Sequence, residues 1–246
     1  MKSLEKKLLL INLSLYIFLW LFSFTQVDLN LTLVSSKIVI IFISWLQNIG
    51  YYHRLASTVI YISIIGFLFS FFIYNLWLFS KNKIGLKYLV FSSILNTTIL
   101  ILAYPFLSAD IFNYLFDAKI MLKYHTSPYS HKPLDFPNDE WLRFMRWTHR
   151  YSPYGPVWLL FSLIPASLGF GKFILNLLFF KVFIAFFHFL NIFLIYKIIQ
   201  RVNPKNLLLG TAFYALNPLI IIEGIANGHN DIIQATFLLM PIFFMV

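Results

Sequence analysis

Long apolar runs with few charges constrain this chain more than any other feature of it. They cover residues 8–25, 57–79, 88–107, 173–197, 207–226 and 232–246, with two shorter ones at 37–47 and 157–170. A bilayer core takes about 20 apolar residues per helix, so the longer runs read as spans and the two shorter ones do not. Composition agrees. The chain is 60% hydrophobic, 20% aromatic and only 11% charged, which lies outside the soluble range. The expected fold is an all-α polytopic integral membrane protein of about six to eight helices.

The net charge of +10 does not point to nucleic acid, because Lys and Arg sit mainly at the ends of apolar runs. There they act as topology determinants. The clusters Lys2/Lys6/Lys7, Lys81/Lys83/Lys87 and Lys197/Arg201/Lys205 are expected on the cytoplasmic side. Runs 8–25 and 57–79 then cross, 37–47 does not, and 88–107 delivers the polar island 108–156 to the outer face. Run 173–197 returns, 157–170 lies in the interface or re-enters, and 207–226 presents Asn227-Gly228-His229-Asn230-Asp231 on the outer face too. Two polar clusters far apart in sequence are thus expected on one side. The N-terminal run lacks a small-residue cleavage site and reads as an uncleaved first span. The last run ends at Val246 without a closing polar segment, so the single transmembrane domain 1–246 is expected to be an N-terminal fragment. No cysteine is present, which removes disulfides and thiolate metal sites. The sequon at 30–32 is of a kind common by chance.

The island holds five of the nine acidic residues and three of the six histidines. Asp110, Tyr114 and Asp117 follow at spacings of four and three, which places them on one helical face. Ser108 is positioned to cap that helix. A carboxylate at the bilayer edge, partly desolvated, suits general-base work. The bland alternative is that both acids decorate a helix N-terminus or pair with Lys119 and Lys123. Arg143, Arg146 and Arg150 recur at three and four residues among Trp141, Phe144, Met145 and Trp147, which predicts an amphipathic helix over 141–150 in the headgroup region. Its guanidinium stripe suits phosphate, with His149 and Arg150 nearest the following turn; anchoring to anionic lipid is the alternative. Ser127-Pro128-Tyr129 and Ser152-Pro153-Tyr154-Gly155-Pro156 are rigid turns whose tyrosines, Tyr129 and Tyr154, can reach a sugar or a phosphate. Asn217-Pro218-Leu219 precedes a compact group of Glu223, Asn227, His229, Asn230 and Asp231. An ionisable residue such as Glu223 at the end of an apolar run is costly and usually functional. No strong metal spacing occurs, so no cofactor is implied, although a divalent metal is not excluded. There is no Gly-rich phosphate loop and no Rossmann fingerprint.

In this order the motifs resemble those of GT-C membrane glycosyltransferases. The polar island, from Asp110 to Pro156, looks like the first outer loop of bacterial polyprenyl-phosphate-mannose-dependent α-mannosyltransferases and related GT87-type proteins. Asn217-Pro218-Leu219 with Glu223 and Gly228-His229-Asn230-Asp231 is similar to their later outer motif. The likeness covers roughly 105–235, with Ala118 standing where Gly is frequent and Ser127 where Asn is frequent. It implies a GT-C-like bundle with a large outer loop carrying juxtamembrane helices, in a bacterial plasma membrane. It also implies inverting transfer of a mannose-like hexose from a polyprenyl-phosphate donor to a glycan or glycolipid acceptor on the extracytoplasmic face. Carried over by residue, Asp110 is the base, and Asp117 and Tyr114 support it. Arg150 with His149 meets the leaving phosphate, and Glu223, His229 and Asp231 bind sugar hydroxyls or complete the acid network. Two other classes compete: a transporter with Glu223 and His229 in an ion path, and a non-catalytic membrane subunit.

Overall fold

The computed structural model describes residues 1–29 and 36–246; the sequon at 30–32 falls outside the described residues. Among the described residues every regular element is helical. The helices are α1 (Ser3–Ser23), α2 (Lys37–Tyr52), α3 (Arg54–Ser80), α4 (Leu86–Ile101), α5 (Asp110–Lys123), α6 (Pro156–Leu168), α7 (Phe173–Val202), α8 (Leu207–Ala215), α9 (Pro218–Ile221) and α10 (Asp231–Met245). A five-residue π-turn, Ile222–Ala226, continues α9. Three stretches are long and apolar enough to cross a membrane: Ser3–Gln26, Arg54–Ser80 and Phe173–Val202. A fourth is bent by 43° between Pro204–Ala215 and Pro218–Ala226.

That bend departs from the single span expected over 207–226, and Pro218 is the cause. Proline has no N–H and pushes the residue before it out of the α region. Asn217 is accordingly extended, and its side-chain oxygen accepts from the Leu219 amide at 3.0 Å, capping the new helix. The run 88–107 also stops being helical early, at Ile101. Pro105 prevents its continuation, and the freed carbonyls of Leu100 (3.4 Å) and Ala103 accept from the ammonium of Lys181, which is buried on α7. Length does not separate α4 from α2, both of 16 residues, but packing does. α4 buries Tyr88, Ser92, Asn96 and Leu100 inside the bundle, whereas α2 buries only Leu46 and Gln47.

Lipid offers little hydrophobic drive between helices, so dispersion and interhelical hydrogen bonds, each worth about 0.6–2 kcal/mol, do the holding. Asn12 on α1 donates to Asn96 on α4 at 2.5 Å, Tyr88 on α4 to Asn75 on α3 at 2.8 Å, and Asn191 on α7 to the Ile232 carbonyl at 2.8 Å. At one end of the bundle Glu5 accepts from the Gly85 amide at 3.0 Å, and Leu8, Ile84 and Leu208 share one hydrophobic cluster. The three basic clusters therefore gather at the same end, as the charge pattern predicts. At the other end the Ser23 hydroxyl accepts from the Tyr104 amide at 3.0 Å, and the α4–α5 linker meets the π-turn.

The amphipathic helix expected over 141–150 does not form. Only a 3-10 turn, Glu140–Phe144, is present, and Met145 is extended. Eclipsed i, i+3 side chains put Trp141 and Phe144 on one side, where both rings pack on Phe173, at 5.4 Å edge-on and 3.6 Å stacked. The Thr148 carbonyl is then drawn onto the Leu134 amide at 3.1 Å. Tertiary packing outweighs the helical period here.

Candidate active site

α5 begins where expected. Asp110 is its first residue, favoured there by the helix dipole. The Ser108 hydroxyl accepts from the Asp110 amide at 3.2 Å, one position outside the Ala109 cap. The acidic residues of α5 do not pair with its lysines. Lys119 and Lys123 instead meet Asp139, at 2.6 and 3.5 Å. Burial opposes ionisation of Asp139, yet hydrogen bonds from Lys119, Tyr124 and the Trp141 amide hold its carboxyl below the usual range.

Asp110 and Asp117 part company. Seven residues separate them, about 10 Å along the axis. Asp110 is partly exposed and faces the segment 223–231. Asp117 is 3% exposed and sealed under the turn at Ser152, with one oxygen unpartnered and a cavity of only about 10 Å³ beside it. Burial pushes its pKa up to about 7, against a hydrogen bond from Ser152. Tyr114 lies between them, wedged edge-on by Tyr154 at 4.7 Å and Trp158 at 4.8 Å, and donates to the Asn230 side chain at 3.3 Å. Burial pushes the Tyr114 and Tyr154 hydroxyls above the usual phenol range, so both stay donors. The two Ser-Pro-Tyr turns are stitched together: Tyr129 donates to the Tyr154 carbonyl at 2.6 Å, and the Ser152 amide to the Pro128 carbonyl at 2.9 Å.

The later motif is assembled by backbone geometry. Gly228 has φ +73°, a left-handed conformation that favours glycine, and a Cβ there would meet Ile111 Cδ1 at 2.4 Å. This close approach seats the π-turn on the first turn of α5. His229 then lies among three carboxylates: its Nε2 is 3.9 Å from Asp110, and its Nδ1 is 3.9 Å from Glu223 and 3.7 Å from Asp231. Asp231 opens α10 at the surface. The two clusters, about 120 residues apart in sequence, therefore meet.

Asn227 makes that meeting durable; the sequence places it in the compact polar group but not in this pinning role. Fully buried, it accepts from the Phe106 and Leu107 amides, both at 3.1 Å, and donates to Glu223 at 3.0 Å. Its signal in the sequence is a place beside Gly228 in the group from Glu223 to Asp231. The arginines, by contrast, scatter. Arg150 lies over the Trp147 ring at 4.7 Å and lines the small cavity at Asp117, and His149 is exposed. Arg143 and Arg146 line a different, polar cavity of about 180 Å³ with Tyr51, Tyr104, Ser108 and Ala109. No group of three or more His, Asp or Glu side chains among the described residues is spaced to hold a metal ion.

A helical membrane bundle with carboxylates and an imidazole gathered at one end, opposite its basic clusters, defines a membrane protein with a polar site at the bundle edge. A family model described as alpha-(1->6)-mannopyranosyltransferase, N-terminal domain, matches residues 20–246, and the chain belongs to that family of mannosyltransferases. Its activity class is therefore glycosyl transfer, which requires a sugar donor and a glycan acceptor. No curated protein and no solved structure matches the chain.

Proposed function

We propose that this chain carries the GT-C-type active site of a polyprenyl-phosphate-mannose-dependent mannosyltransferase working at the extracytoplasmic face of a bacterial membrane. One observation carries the reading: Asp110, at the membrane-proximal start of α5, faces Glu223, His229 and Asp231 across a junction pinned by Asn227. In this reading Asp110 takes the proton of an acceptor hydroxyl. The acceptor oxygen attacks the anomeric carbon while the bond to the phosphate oxygen breaks. Inversion yielding the alpha-(1->6) product named for the family requires a β-linked donor. Glu223, Asn230 and Asp231 offer acceptors and a donor to sugar hydroxyls. Asp117 and Tyr114 hold the face of α5 that carries Asp110. Arg143 and Arg146, in the cavity that reaches Ser108, take the place of Arg150 and His149 beside the departing phosphate, whose growing charge needs fixed cations. The described residues contain no sheet on which a nucleotide sugar would dock, which favours a lipid-linked donor.

A transporter reading loses support from the buried lysine of α7. Lys181 is engaged with the carbonyls that end α4, so it is a structural cap. The deciding experiment is Asp110→Asn in membranes, assayed with polyprenyl-phosphate mannose and a panel of acceptors. Transfer should fall by a factor of about 10²–10⁴, as loss of a general base does, while the protein remains inserted. Wild-type rates in that variant would remove Asp110 from the mechanism.

A further inference from the structure

The three carboxylates of the site share one imidazole. Among the described residues no Lys or Arg lies within ion-pair distance of Asp110, Glu223 or Asp231; each has His229 as its ion-pair partner. The neighbouring titratable groups are phenols: Tyr154, which interacts with Asp110, Tyr114, reached through Asn230, and Tyr61 on α3, beside Glu223. Nε2 of His229 is buried and has no hydrogen-bond partner, although a buried polar nitrogen is normally satisfied. It is therefore poorly placed to greet a sugar from solution. The nearest charged group to it is the Asp110 carboxylate, at 3.9 Å. Such contacts are often long without substrate and shorten in the reacting complex. The backbone leaves the ring little choice: Gly228 turns the chain, and the His229 amide donates to the Glu223 carbonyl at 3.2 Å.

We propose that His229 is a positioning residue for the base, resting on the mannosyltransferase reading above: it orients Asp110 through Nε2 and accepts the proton that Asp110 collects. The step balances as follows. The acceptor hydroxyl gives its proton to Asp110, and its oxygen lone pair forms the new bond to the anomeric carbon. The electron pair of the old carbon–oxygen bond leaves with the phosphate. Asp110 then passes the proton to Nε2. The resulting imidazolium is held by Glu223 and Asp231 through Nδ1–H, and Asp231, with its side chain 74% exposed, hands the proton to water. A nitrogen facing the base and another facing two carboxylates is the geometry such a relay needs.

The test compares His229→Gln, His229→Ala and Asp110→Asn in membranes, with polyprenyl-phosphate mannose as donor and size-exclusion elution in detergent as the folding control. His229→Gln, which keeps the size and a polar amide, should lower kcat about 100-fold or more with KM changed less than about threefold. It should also remove one limb of the pH–rate profile. Added imidazole should restore at least about tenfold of the loss in His229→Ala. The double variant with Asp110→Asn should be no slower than Asp110→Asn alone, because the two act as a unit. A KM rise at unchanged kcat would make His229 a sugar ligand and overturn the proposal. So would rescue by a divalent cation instead of imidazole, or a kcat within about threefold of wild type in His229→Gln. An inactive Asp110→Asn beside an active His229→Gln overturns this proposal alone, whereas an active Asp110→Asn removes Asp110 as the base and with it the reading of the site on which this proposal rests. If His229→Ala does not fold, His229→Gln decides.

Discussion

Replacing Asn227 by alanine should damage the site although Asn227 itself is buried away from substrate. The side chain has no solvent contact and makes three hydrogen bonds: two accepted from the amides of Phe106 and Leu107, one donated to Glu223. Alanine orphans both amides and frees one Glu223 oxygen. An unsatisfied buried donor costs about 1–3 kcal/mol; Leu107 is exposed enough for water to relieve its amide. A net loss of about 3 kcal/mol follows, equivalent to roughly 6–12 °C in Tm for a chain of this size. The catalytic loss should exceed the stability loss. Asp110 lies three residues beyond Leu107, and a misplacement of about 1 Å at a reacting group costs on the order of 100-fold. Asn227→Asp separates the contributions: it keeps an acceptor for the two amides and sets a second carboxylate against Glu223. It should retain more of the Tm than alanine does while losing a comparable share of kcat. Thermal unfolding in detergent and mannosyl transfer in membranes measure the two quantities. A Tm within about 2 °C of wild type together with kcat/KM within about threefold, for Asn227→Ala, would refute the pinning role.

Two further predictions follow from buried charges. Asp117, with a pKa raised to about 7, binds its proton more tightly folded than unfolded, so its contribution is most favourable below about pH 4 and is lost as pH rises toward 7. The pH window implies a penalty of about 4 kcal/mol at neutral pH, an upper bound. Asp117→Asn should therefore raise Tm at pH 8 more than at pH 5 and keep most of the transfer activity; equal Tm shifts at the two pH values would sink the argument. Lys181→Met should uncap the end of α4, leaving the Ala103 carbonyl without its Lys181 donor while Leu100 keeps the Ala103 amide, and lowering Tm. An unchanged Tm and unchanged transfer rate in Lys181→Met would show that the Ala103 carbonyl does not need the ammonium.

The residues that were legible in the sequence are those whose position follows from a local period or from charge. The four-and-three spacing of Asp110, Tyr114 and Asp117 put them on a helix, and α5 is that helix. The lysine clusters implied that 108–156 and 227–231 share one end, and Asp110 does meet His229. The arginine spacing from Arg143 to Arg150 was equally periodic but misled, because Phe173 collects Trp141 and Phe144 on a 3-10 turn and the arginines are dealt to different cavities. One periodic segment packs as a helix, buried from Ile111 to Ala118; the other has a ring on a distant helix pulling at it. Asp117 was legible as a member of the α5 face, but not as the member sealed under Ser152. Asn227 was illegible for a different reason. Its role lies in the three partners its amide finds, and two of those are backbone groups about 120 residues away.

Most ties that build the site run between helices and their ends; from the long irregular stretch of the island, Tyr154 packs on Tyr114 at 4.7 Å and Arg143 and Arg146 line the cavity at Ser108. Asn227 joins the linker before α5 to the π-turn, Gly228 seats that turn on Ile111, and Tyr114 reaches the cap of α10. The rest of the stretch 124–155 attaches by Asp139 to Lys119 and by the Ser152 turn over Asp117, on the parts of α5 remote from His229. A site held on rigid elements keeps its geometry better than one held on loops. Outside Arg143, Arg146 and Tyr154, the irregular stretch can therefore change its sequence to suit an acceptor with little effect on the base. The π-turn fits the same logic: such one-turn widenings recur at functional sites, and this one carries Glu223 within reach of Asn227 and His229.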